Sequence, residues 1–200
     1  MKSILFLVGS LRADSINRRV SHIAERMLPE GYEAARFDLA GVPVFNADLR
    51  GEQTPGAVNG LRDAIAMANG VFWVSPEYNF AMPGVVKNAL DWASRPILPR
   101  NCMVGKPMNA VVATESASHG IRGLTELKRT WNNCGGVTVG FDFVIQQVDQ
   151  KFVESDGVDD LEAKSRATLQ FNVDNLVRAV DGDYGAVPLA NWDAYVRMMK

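Results

Sequence analysis

Apolar residues arrive along this chain in two rhythms. Short runs, Ile4 to Val8, Val71 to Val74 and Met108 to Ala113, carry no regular polar alternation, Asn109 being the one polar residue among them. A strand covered on both faces reads that way. Elsewhere apolar positions recur at helical spacing. The stripes are Ile16, Val20, Ile23 and Met27; Val58, Leu61, Ile65 and Ala68; Val85, Ala89 and Ala93, with Val86 and Leu90 beside them; Leu124, Leu127 and Trp131; and Leu169, Val173, Leu176 and Val180. Each predicts a helix with one face in a core. Glu33 to Leu39 is a weaker strand, and Val137 to Val144 a strand region broken by Gly140. Breakers fall where the rhythm changes: Gly41, Pro43 and Pro55 through a long loop, then Asn69-Gly70, Lys106-Pro107 and Gly135-Gly136.

Strands and helices therefore alternate. Alternation of this kind forces crossover connections, hence a parallel sheet with helices on both faces. The expected fold class is α/β: a doubly wound, five-stranded parallel sheet of order 2-1-3-4-5. One domain is expected over residues 1–182. The tail 183–200 keeps Trp192, Tyr195, Met198 and Met199, and is expected to pack on the domain or on a partner subunit. The third helix, with Val85, Val86, Ala89, Leu90, Trp92 and Ala93, is more apolar around its perimeter than one sheet face requires. Arg95-Pro96-Ile97-Leu98-Pro99 extends that surface. A homodimer or homotetramer with Pro83 to Pro99 at its interface is one way to cover it. The chain's own tail is the other.

Composition narrows the functional classes. At 200 residues and 47% apolar, a core needs no staples. Lys plus Arg is 21 and Asp plus Glu 23, a net charge of -2. That balance argues against nucleic-acid binding, which needs a basic excess, and against a strongly acidic electron carrier. Cys102 and Cys134 have neither disulfide-framework nor metal-ligand spacing, so no metal is expected and the expected compartment is the reducing cytoplasm. The Lys2-led apolar run is too short for a signal peptide and lacks a cleavage site. No segment has the apolar length of a membrane span.

In open parallel sheets, ligands bind beyond the carboxyl ends of the strands. Three loops qualify. Gly9-Ser10-Leu11-Arg12-Ala13-Asp14-Ser15-Ile16-Asn17 leaves the first strand and opens a helix. Helix-start N–H groups, the side chains of Ser10, Ser15 and Asn17, and the charge of Arg12 suit one phosphate dianion. The loop is neither Gly-x-Gly-x-x-Gly nor a Lys-Ser/Thr phosphate loop, so a dinucleotide pyrophosphate and an NTPase are both disfavoured. The same residues also suit a plain helix cap by Ser15 or Asp14, with Arg12 in solvent. The second loop, Ser75 to Gly84, is stiffened by Pro76 and Pro83 and can offer backbone groups and Tyr78 to a flat heterocycle. The third, Thr114 to Gly120, is small and polar; its His119 reads as an exposed loop histidine rather than a proton donor.

Gly9-Ser10-Leu11-Arg12-x-x-Ser15-x-Asn17 resembles the phosphate loop of the NADPH-dependent FMN reductase family. Pro76-Glu77-Tyr78-Asn79, continuing through Pro83-Gly84-Val85-Val86-Lys87-Asn88-Ala89-Leu90-Asp91-Trp92, resembles that family's second motif. The likeness covers residues 1–180 or so. It implies a flavodoxin-like fold, FMN as cofactor and NADPH or NADH as co-substrate. It further implies that Ser10, Arg12, Ser15 and Asn17, in the loop with Gly9 and Leu11, hold the FMN phosphate. Pro76, Glu77, Tyr78 and Asn79 would line the ring largely through backbone groups, with Thr114, Glu115 and Ser116 across from them. The family's glycine-rich third loop is replaced here by Ser118-His119-Gly120-Ile121-Arg122. The implied activity is hydride transfer from NAD(P)H through flavin N5 to a small-molecule electron acceptor: a quinone, free flavin, azo compound or metal oxyanion. No side-chain acid or base is required, so no catalytic residue is named. The alternatives are a flavodoxin-type electron carrier and a non-catalytic flavin-binding module.

Overall fold

The computed structural model describes residues 1–155, 157–182, 184, 185 and 197. In chain order the elements are β1 (Lys2–Val8), α1 (Ile16–Glu25), β2 (Tyr32–Arg36), α2 (Gly56–Met67), β3 (Gly70–Ser75), α3 (Gly84–Ala93), β4 (Pro107–Thr114), α4 (Ile121–Asn133), β5 (Val137–Thr138), β6 (Phe143–Gln146), β7 (Phe152–Ser155), β8 (Val158–Leu161) and α5 (Ala163–Asp181). The main sheet runs β2-β1-β3-β4-β5, all parallel. This is the expected doubly wound order.

The central strands show why their sequences lack alternation. In β1, Leu5 and Leu7 enter one core while Ile4 and Phe6 enter the other. In β3, Val71 and Trp73 divide from Phe72 and Val74 in the same way. The first core is closed by residues of α2, α3 and α4, the second by residues of α1 and α5. Trp73, Trp92 and Trp131 are fully buried. Trp131 donates its indole N–H to Lys106 O at 3.0 Å, whereas that of Trp73 has no acceptor among the described residues.

The fifth position of the sheet is held by two short pieces. β5 pairs Val137 with Pro107, and β6 pairs Phe143 with Val111. Between them the chain detours around Asn109, a fully buried amide in β4. Its Nδ2 donates to Asn172 O and Oδ1 on α5 at 2.9 and 3.0 Å. A Cβ on Gly140, whose φ is +78°, would lie 2.3 Å from that Nδ2. Gly140 therefore marks the break, as its position in an apolar run suggests.

Two features depart from expectation. β7 and β8 form an antiparallel hairpin that the apolar pattern does not announce. It leans on α1, where Arg19 chelates Asp159 at 2.7 and 2.8 Å and lies 3.7 Å over the Phe152 ring. The second concerns Trp92. The chain's own 42–45 loop packs on it, a contact that the apolar pattern does not announce. Its indole N–H donates to Pro43 O at 2.8 Å, Phe45 meets it edge-on at 4.8 Å, and Asn88 holds the loop through Pro43 O and the Phe45 N–H. Ile97 and Leu98 remain about half exposed. The tail residues Trp192, Tyr195, Met198 and Met199 lie outside the described residues. No helix among the described residues is long and apolar enough to cross a membrane.

Candidate active site

The loops after β1, β3 and β4 meet in one cleft of about 260 Å³. Its walls are Ser10, Arg12, Ser15, Ile16 and Asn17 from the first loop, Pro76, Glu77 and Tyr78 from the second, and Ala113, Thr114, Glu115 and Ser116 from the third. Ten of the thirteen residues named from sequence are therefore brought together. Gly9, Leu11 and Asn79 stand beside the cleft rather than in its wall. Ile16 and Ala113 were missed, since neither carries a polar group to mark it.

The first loop is braced against the sheet. Gly9 N–H donates to Val74 O at 2.9 Å, continuing the β1–β3 ladder. A Cβ there would sit 2.3 Å from Ser75 Oγ, so only glycine lets the strands approach this closely. Ser15 caps α1, its Oγ accepting from Arg18 N at 3.4 Å. Ser15 thus both caps the helix and lines the cleft. The backbone N–H groups of Ile16 and Asn17 find no acceptor among the described residues, and the first turn holds no acidic side chain. The positive end of the helix dipole thus faces the cleft uncompensated. Asn17 is buried; its Nδ2 donates to Ala113 O at 3.2 Å, and its Oδ1 has no partner among the described residues.

The second loop is locked to α4 from both sides. Glu77 Oε2 accepts the N–H of Gly123 in the first turn of α4 at 2.7 Å, where a carboxylate is favoured by the dipole. Glu126 Oε2 reaches back from α4 to accept Met82 N–H at 2.9 Å. Between these ties, Tyr78 and Ala81 exchange two backbone hydrogen bonds at 3.0 Å. The turn they close puts Asn79 at φ +50° and Phe80 at φ +65°, left-handed values that hairpin turns require and phenylalanine rarely adopts. Phe80 is held there by His119, edge-on at 4.8 Å, and by the Arg122 guanidinium at 5.0 Å. His119 is accordingly half-buried rather than exposed, with Nδ1 2.6 Å from Ser116 Oγ. Ser116 is fixed further by its N–H to Thr114 Oγ1 at 3.1 Å.

Shifted ionisable groups lie elsewhere. Burial pushes the Cys102 thiol up to about 12, and burial also raises that of Cys134. Neither thiol is poised as a nucleophile.

The profile of the NADPH-dependent FMN reductase family matches residues 2–150. The chain belongs to the NADPH-dependent FMN reductase family. The chain is also similar to a 2-hydroxy-1,4-benzoquinone reductase of a Burkholderia species, 33% identical over 153 residues that cover 76% of this chain and 79% of that protein. An NAD(P)H-dependent FMN reductase of Pseudomonas aeruginosa is 35% identical over 127 residues, covering 64% of this chain and 68% of that one. Among solved structures, the flavoenzyme NAD(P)H:(acceptor) oxidoreductase FerB from Paracoccus denitrificans superposes with a TM-score of 0.79 at 27% identity, covering 92% of this chain and 99% of that one. This FMN reductase family member is therefore a flavodoxin-like oxidoreductase that uses FMN and NAD(P)H. Its cleft suits the cofactor. Unpaired N–H groups at the start of α1 call for an anion, and the buried Asn17 Oδ1 calls for a hydroxyl donor; a ribityl phosphate carries both.

Proposed function

We propose that the chain reduces quinone-type small molecules with NAD(P)H, using FMN held in the three-loop cleft. The single observation that carries this reading is the convergence of an uncompensated helix N-terminus, a locked backbone loop and a small polar loop on one cleft. Bound FMN would supply the two-electron chemistry that couples oxidation of NAD(P)H to reduction of the acceptor. Arg12, Ser10, Ser15 and the N–H groups of Ile16 and Asn17 bind the phosphate, with Gly9 and Leu11 shaping the turn. Pro76, Glu77, Tyr78 and Asn79 present backbone groups along the ring edge, and the ties to Gly123 and Glu126 keep them in place without reorganisation. Thr114, Glu115 and Ser116 close the opposite wall and limit water.

The protein is further proposed to act in the cytoplasm, consistent with two free thiols, and to assemble as a homodimer or homotetramer. Exposed Leu11, Tyr78, Phe80 and Ile121 near the cleft favour a covered rim. Steady-state turnover of FMN-loaded protein tests the activity, with NADH and NADPH each run against benzoquinones, free FMN, an azo dye and chromate. Benzoquinones should give the highest kcat/KM. A dominant rate with another acceptor overturns the substrate assignment. Sedimentation at micromolar concentration tests assembly, and a clean monomer rejects it.

A further inference from the structure

A second cavity, of about 780 Å³, opens between the 47–54 loop, α2 and the segment that follows α3. It shares no lining residue with the flavin cleft. The two sites lie toward opposite ends of α3, a ten-residue helix about 15 Å long.

Three arginines from three segments line this cavity, and each is tethered through part of its guanidinium only. Arg62 donates Nε–H to Trp92 O at 3.2 Å, with its guanidinium carbon 5.9 Å from the Trp92 ring centroid. Arg95 donates from Nη1 to Ser94 O and Oγ at 3.3 and 3.0 Å. Arg50 donates Nε–H to Ala47 O at 2.6 Å. The remaining guanidinium nitrogens have no acceptor among the described residues, and no carboxylate there pairs with any of the three. Three other arginines of the described surface do find one: Arg19 binds Asp159, Arg36 binds Glu25 and Arg166 binds Asp160. Asp48 is the single carboxylate in the cavity wall, so positive charge is in excess. Arg62 is also partly desolvated, and burial lowers its pKa from the ordinary value. A desolvated cation without a counter-charge is unfavourable unless a ligand supplies one.

The fork of a guanidinium matches phosphate oxygens, and several such forks suit a dianion with three terminal oxygens. Beside the arginines the wall turns apolar at Pro96, Ile97 and Leu98, the last two half exposed. We propose that this cavity binds a small organic phosphate, its phosphoryl group on Arg50, Arg62 and Arg95 and its carbon body against Ile97 and Leu98. The site is separate from the flavin phosphate loop and needs no part of it.

The test keeps FMN bound, so that the phosphate loop is filled. Calorimetric titration with phenyl phosphate should show saturable one-to-one binding. Inorganic phosphate, titrated at the same ionic strength, should bind at least about fivefold more weakly, because it leaves the apolar wall untouched. Arg50→Gln combined with Arg95→Gln should raise the Kd for phenyl phosphate about tenfold or more. Bound FMN and the rate of NAD(P)H oxidation should not change. Both side chains bond only to backbone or side-chain atoms within three residues, so the fold does not rest on them. Ile97→Ser, which removes apolar surface without adding charge, should weaken phenyl phosphate while leaving inorganic phosphate less affected. Absence of saturable binding with FMN in place, or an unchanged Kd in the double variant, overturns the site. Equal affinity for the two probes overturns the organic ligand.

Discussion

Arg12 and Asn17 divide the work of the first loop in a way that residue type alone does not show. Arg12 is exposed, and its guanidinium meets no described residue, so it is available to an incoming phosphate. A hydrogen bond to a charged group contributes about 1.5–3 kcal/mol. Arg12→Ala should therefore weaken FMN about tenfold to a hundredfold and leave riboflavin nearly unchanged, measured by fluorescence titration of the apoprotein. Equal FMN affinities would place Arg12 elsewhere. Asn17 was legible as a polar residue at a helix start. Its partner, Ala113 O on β4, was not, because that contact joins positions far apart in sequence. Ile16 and Ala113 were illegible for a different reason. They enter the wall through shape, and apolar residues beside a strand end carry no chemical signature.

The reciprocal tie between the 76–83 segment and α4 belongs to whole elements. Glu126→Ala would leave the buried Met82 N–H without an acceptor, and an orphaned buried donor costs about 1–3 kcal/mol. Denaturant unfolding should register that loss, and hydrogen exchange at the Met82 amide should speed up. Exchange as slow as in the parent would mean that the tie is dispensable. Gly140→Ala is expected to destabilise by about 1–3 kcal/mol, since it combines a left-handed φ with the Asn109 amide in the path of the new methyl. Unchanged stability would show that the detour relaxes freely. The break at Gly140 could be read in the sequence because a glycine interrupts an apolar run. The β7–β8 hairpin could not, since Glu154, Asp159 and Asp160 dilute its apolar positions. An Asp156-Gly157 pair between Val153 and Val158 was the available sign.

At the scale of the molecule, the sheet order was legible because every strand–helix alternation permits few windings. The cover of Trp92 was not: it depends on how a 42–45 loop without periodicity folds back. Two surface carboxylates link distant elements and contribute to the acid response. Arg19, by hydrogen bond, holds the Asp159 carboxyl below the usual range, and Lys2 and Tyr32 do the same for Asp181. Because the folded pKa is the lower one, their contribution is complete above the ordinary carboxylate range near about 4 and fades as pH falls through the folded values. Both are well exposed, so the effect is small. Asp159→Asn should flatten the acid limb of a stability–pH curve below about pH 4; an unchanged limb would assign it to other groups. The proposed single cleft also constrains kinetics. If NAD(P)H and acceptor use it in turn, initial-rate lines against the two should be parallel. Intersecting lines would indicate that both fit at once.

The three buried indoles give the protein an optical signature. Trp73, Trp92 and Trp131 are shielded from water, so their emission should sit toward the blue. Trp73 lies two residues before the end of β3, the strand that delivers Pro76 to the cleft, and its N–H has no acceptor among the described residues. A flavin absorbs where indoles emit, and transfer of excitation falls steeply with distance. Adding FMN to the apoprotein should dim the blue emission in proportion to occupancy, and Trp73→Phe should remove the larger share of that dimming. Emission that stays bright while FMN binds would put the flavin away from the end of β3. On the proposed placement, the strand that leads into the cleft would also carry the emitter that reports the cofactor's arrival.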